Sequence, residues 1–163
     1  MKIAHIFFVV MLLAALASML SCSEARPSDS QMEQTLNKHE AEFNRLVSMF
    51  KEDSALESVS PDKAYSSAQK KVEVELPKER MQEYRSLFKR LGLSYMSRGH
   101  DGSITMEAWT KSSFASSERK SYIYTESPPP SLDSSLDGLG KTWEGFAYKH
   151  VKGNWYLGFD RSF

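Results

Sequence analysis

The sequence predicts an α+β domain in which a twisted antiparallel sheet of four to five strands carries two helices on one face. Three observations predict it. Met32, Leu36, Phe43, Leu46, Val47 and Phe50 recur at intervals of three, four and seven residues, as do Met81, Tyr84, Leu87, Phe88 and Leu91, the spacing of an apolar helix stripe. Beyond Gly92 the apolar period changes from helical to two. Short turn signals, Gly99-His-Asp-Gly102 and Lys152-Gly153, then separate alternating segments, so successive strands pair antiparallel.

Taken in chain order, residues 22–30 have the small, polar composition of a flexible tether. Ser30-Gln-Met-Glu33 fits a capping box, which predicts a helix from there to about Asp53. From Ser54 to Lys71 the periodicity stops and serine, lysine, aspartate and Pro61 predict a loop with one helical turn near Leu56 and Val59. Val72–Leu76 alternates as a short strand. Pro77 opens the second helix, since a first-turn residue needs no amide, and Gly92 closes it by adopting a left-handed conformation that lets Leu93 fold back onto Phe88. Strands are predicted over 93–98, 103–110, 120–126, 146–151 and 154–160. Residues 127–142 cannot extend a ladder, because Pro128, Pro129 and Pro130 have no amides, and they form a long excursion that covers part of the sheet.

The first 21 residues predict a signal peptide: Lys2 is a positive n-region, Ile6–Leu20 an apolar stretch interrupted only by Ser18, and Ser21, Cys22 and Ser23 the small polar exit. The apolar run is short for a spanning helix. Cys22 is the single cysteine of the chain, placed where a bacterial lipoprotein carries its acylated residue, with Met19-Leu20-Ser21 as a loose match to the recognised tripeptide. Ordinary cleavage after Ala25, guided by Ser23 and Ala25, is the alternative and leaves a soluble periplasmic or secreted chain without cysteine. The expected organisation is a signal peptide at 1–21, a lipidated tether at 22–30 and one α+β domain at 31–163. A domain lacking cysteine forms no internal disulfide, so its stability rests on a packed core.

The order of a helix, a proline-led helix ending in Leu91-Gly92-Leu93, the Asp101-Gly102 hairpin, the Tyr122-Ile-Tyr124 strand, Pro128-Pro-Pro130 with Ser131-Leu-Asp133, and a closing Tyr148-Lys-His-Val-Lys-Gly-Asn-Trp-Tyr156 resembles small uncharacterised bacterial lipoproteins or exported proteins. The resemblance implies an envelope location and transfers no activity and no site residue. With Ser23 after the cysteine, likeness to enterobacterial lipoproteins implies the outer membrane.

Composition and spacing argue against several functions. The net charge is zero over the full chain, with 21 basic and 21 acidic residues, so no basic field draws nucleic acid. His39-Glu40 lacks a second histidine one turn on, and His100 and His150 are separated by two predicted strands, so no metal is expected. Ser112, Ser113, Ser116 and Ser117 lie in no Gly-x-Ser-x-Gly elbow. Glu73 and Glu75 read as solvated edge charges, and Gly138-Leu-Gly140 lacks the third glycine of a phosphate loop. The chain is therefore not expected to be an enzyme or to bind a cofactor.

Aromatic residues make up 12% of the chain and gather in its C-terminal half. Both sheet faces carry them, so some are either covered by the long loop, the favoured reading, or displayed as a patch for a partner or glycan. The candidate binding surface is Trp109, Arg119, Tyr122, Tyr124 and Trp143. The expected function is a non-enzymatic, lipid-anchored adaptor that contacts the membrane through Cys22 and presents one face of its sheet or the Ser127 to Thr142 loop to another envelope protein. The alternative is a small binding domain for a hydrophobic ligand or glycan.

Overall fold

The structure, a computed structural model, describes residues 25–66, 72–139 and 142–163; the leader and Cys22 fall outside the described residues. Helices α1 (Asp29–Lys38) and α2 (Glu40–Glu52) precede strands β1 (Leu56–Val59), β2 (Ala64–Ser66) and β3 (Glu73–Val74). Helix α3 (Lys78–Leu91) then leads into β4 (Tyr95–Arg98), β5 (Ile104–Ser112), β6 (Ser117–Tyr124), β7 (Gly145–Lys152) and β8 (Trp155–Ser162). The strands form one open sheet in the order β3-β2-β1-β4-β5-β6-β8-β7, every neighbouring pair antiparallel.

The α+β class holds, with three helices and eight strands among the described residues rather than two helices and four to five strands. The first predicted helix divides at His39, whose backbone (φ −119°, ψ 27°) ends α1 and begins α2. The apolar stripe has a gap there, between Leu36 and Phe43, so no core contact holds a continuous helix across that turn. Two added strands come from the predicted loop 54–71. Ser60-Pro61-Asp62-Lys63 is a turn, with the Ser60 amide donating to the Lys63 carbonyl at 2.8 Å, and proline in its second position suits that geometry. The tether is also shorter than the sequence indicates. Ser28, not Ser30, caps α1, its hydroxyl accepting from the Gln31 amide at 3.2 Å while the Gln31 side chain accepts from the Ser28 amide.

One cross-strand row explains the core. Ala64, Val59, Met96, Met106, Tyr122 and Leu157 stand opposite one another across six strands and are all buried. They face the helices, where Phe43 meets Tyr122 at 4.6 Å and Trp155 at 5.6 Å between ring centroids. The exposed carbonyls at the end of α2 are also satisfied from this side: Arg98 donates to the Phe50 carbonyl at 2.6 Å and Arg80 to the Met49 carbonyl at 3.0 Å. Arg80 and the Tyr84 hydroxyl both donate to Asp53 at 2.8 Å, tying α3 to α2.

Gly92 ends α3 at φ +65°, and the Leu93 amide donates back to the Phe88 carbonyl at 2.9 Å. No neighbour crowds that position, so a side chain is disfavoured by the backbone alone. Gly92→Val is expected to lower stability by about 1 kcal/mol or more, measured as the shift in urea midpoint at unchanged slope.

Candidate functional surface

The sheet has two unlike faces at its β6-β8-β7 end. Alternation along β6 points Lys120, Tyr122 and Tyr124 at the helices and Arg119, Ser121 and Ile123 away from them. On β8 the pairing register places Phe159, Leu157 and Trp155 on the helix side and Asp160, Gly158 and Tyr156 on the other. On β7, Phe146, Tyr148 and His150 lie opposite Asp160, Gly158 and Tyr156, so these rings share the face away from the described helices.

Helix cover is replaced there by the connection from β6 to β7, described over residues 125–139 and 142–144, which passes across the width of β8. The connection starts on the open face, where Pro128–Pro130 border Ile123, Phe146 and Tyr148. It rounds the free edge of β7, with the Asp133 amide donating to the Tyr148 carbonyl at 2.7 Å. It then reaches the helix side, burying Leu136 and stacking Trp143 on Phe159 at 5.6 Å between ring centroids. The result is a strap folded around one edge of the sheet.

A buried ionic cluster fastens the strap. Lys120, 0% exposed, donates to the Pro27 carbonyl at 2.8 Å, to Asp29 Oδ1 at 2.7 Å and to Asp137 Oδ1 at 2.7 Å, so its three protons all have acceptors. Asp29 Oδ2 accepts from the Leu136 amide at 2.8 Å and the Ser135 hydroxyl at 3.1 Å, and lies 3.5 Å from Lys149 Nζ. Burial alone would push the Asp29 carboxyl up; the Lys120 hydrogen bond, the Leu136 amide, the Lys120 charge and the Ser135 hydroxyl together outweigh it and hold the group at about 2. Every polar atom of Lys120 and Asp29 is engaged within the protein, which is the arrangement of a structural clamp and not of a proton-transfer site.

The predicted surface residues do not converge. Tyr122 is 3% exposed and lies in the core, its hydroxyl donating to the Met32 carbonyl at 3.3 Å; burial pushes its phenol up to about 12. Trp109 is buried on the helix side, opposite Lys120. Tyr124 is half-buried, edge-on to Trp155 at 5.3 Å with Lys51 over its ring at 4.8 Å, and Trp143 packs on Phe159. Only Arg119 points to the open face, where it pairs with Asp160, its Nε at 3.0 Å from Oδ2. The surface built from Trp109, Tyr122, Tyr124 and Trp143 is therefore corrected: the helices and the strap occupy that side.

Phe146 and Tyr148 form the aromatic pair that is open. Their ring centroids lie 4.7 Å apart with the planes tilted by 36°, and Phe146 is 45% exposed. Beside them is a cleft of about 190 Å³ lined by Asp101, Thr105, Ile123, Thr125, Pro128–Pro130 and the two rings. Asp101 supplies its one carboxylate, which is held low by hydrogen bonds from the Ser103 hydroxyl and amide; burial and then the Asp101 charge raise the Tyr148 phenol. Gly158 sits beneath Phe146 and Ile123, and a side chain there would meet Ile123 Cδ1. The signal for this pair was the alternation Phe146-x-Tyr148-x-His150.

Among the described residues, no three histidine, cysteine, aspartate or glutamate side chains are grouped to hold a metal ion, and no helix is long and apolar enough to cross a membrane. No protein-family model, curated protein or solved structure matches the chain.

Proposed function

We propose that the protein is a lipid-anchored, non-enzymatic module of the bacterial cell envelope that holds another envelope protein against the open face of its sheet. The observation that supports docking is the Phe146–Tyr148 ring pair, with Phe146 exposed, beside the proline strap on the face away from the described helices. Size favours a protein partner over a small ligand: about 190 Å³ falls below the roughly 300–1,000 Å³ of sites that enclose small molecules. Attachment is assigned to Cys22 by its place after the apolar leader.

Two readouts test the two halves of this reading. A photo-crosslinking side chain at Phe146 is expected to trap one protein in intact cells, and the same group at Arg45, on the helix layer, is expected not to; equal adducts from both positions would count against the open face. Separately, Cys22→Ala is expected to abolish fatty-acid incorporation and membrane attachment while leaving the thermal midpoint unchanged. Wild type that takes up no labelled fatty acid would defeat the anchoring.

A further inference from the structure

The proposed tether is too short to let the domain stand away from a membrane. Arg26 is already fixed to the fold, donating to the Asp137 carbonyl at 2.9 Å with its guanidinium 4.9 Å over the Phe159 ring. Four residues from Cys22 to Arg26 span at most about 14 Å when fully extended. The part of the domain nearest that point must therefore rest at the lipid surface.

Helix α1 starts at the level of Lys120 and runs toward Tyr122, away from the end of β6 where Ser112, Ser117 and Ser162 stand side by side, which puts that end on the N-terminal side of α1. At that end the β5–β6 hairpin closes with the Ser113 amide donating to the Ser116 carbonyl at 2.8 Å, and it carries Phe114 at its tip, fully exposed between small residues. Phe163, 64% exposed, follows Ser162 at the same end. Lys111, exposed, and Arg119 flank the hairpin, with Glu118 and Asp160 engaged by Arg161 and Arg119. The far end of the sheet holds the polar His100 turn instead.

We propose that Phe114 inserts into the interfacial layer of the bilayer to which Cys22 is anchored, so that two points of attachment fix the domain's orientation and turn its open face sideways, along the membrane. This rests on the lipid anchoring proposed above. An aromatic ring on a projecting loop suits the headgroup boundary. The acyl chains supply attachment; the ring supplies alignment.

The test uses the acylated full-length protein in vesicles of phosphatidylethanolamine and phosphatidylglycerol. Because Cys22 is the single native cysteine and acylation blocks it, Phe114→Cys and His100→Cys each offer one thiol for an environment-sensitive fluorophore. The label at 114 is expected to shift to the blue and to be quenched by nitroxide lipid, and the label at 100 to do neither. Attached protein whose 114 label stays solvent-like, or whose two labels behave alike, overturns the insertion. A blue shift seen in cells but not in protein-free vesicles would assign the tip to a protein partner and overturn it equally. Failure of the anchoring looks different: the protein does not sediment with vesicles, or wild type takes up the label at Cys22.

Discussion

Lys120→Ala is expected to lower the domain's stability by about 3–5 kcal/mol, read as the shift of its chemical unfolding midpoint at unchanged slope. The magnitude follows from what is left behind. Asp29 and Asp137 lose the cation between them, and the Pro27 carbonyl loses its donor, in a site where Lys120 has no solvent exposure. Lys120→Met paired with Asp29→Asn is expected to cost less than Lys120→Ala alone, because an apolar stem beside a neutral amide leaves no uncompensated buried charge. The cluster also sets an acid limit. Asp29 is held at about 2 against an ordinary 3.8, so its contribution, about 2 kcal/mol, is complete above pH ~4 and is lost as pH falls through 2. Unfolding midpoints between pH 5 and 2 are expected to fall in the wild type and to stay flatter in Asp29→Asn.

Phe43→Ala is expected to remove about 3–5 kcal/mol, comparable to the loss of the clamp but with no pH dependence. Phe43 is wholly buried and joins α2 to two strands, touching Tyr122 on β6 and Trp155 on β8. Neither ring is free to collapse into the space left, since Tyr122 is held by its bond to Met32 and Trp155 by Tyr124. Phe43→Leu is expected to recover more than half of the loss. Equal midpoints for wild type and Phe43→Ala would mean that α2 does not seal the sheet.

What the sequence makes legible is local. The stripes of α2 and α3, the left-handed Gly92 and the hairpins at Gly102 and Gly153 follow from residues within a few positions of each other, and each stands where its pattern places it. The β1–β2 hairpin was written in Ser60-Pro61-Asp62-Lys63, but its strands are three and four residues long and carry too little alternation to oppose a loop reading. The start of α1 depends on distant partners: Asp29 is drawn into the helix by Lys120 and by the strap more than a hundred residues away. The candidate surface shows the same limit. Alternation tells that Lys120, Tyr122 and Tyr124 share a side, but not that this side meets the helices, and a lysine in the row favours the opposite inference. The strap decides the matter, and its route depends on a charge cluster assembled from three separate segments.

Strand order has a consequence for biogenesis. β7 is made before β8 yet touches the rest of the sheet only through it, since β8 lies between β6 and β7. Until the closing strand has emerged, β7 has no ladder to join and the cluster around Phe43 lacks Trp155, Leu157 and Phe159. Closure of the core on this side therefore waits for the final strand to be synthesised.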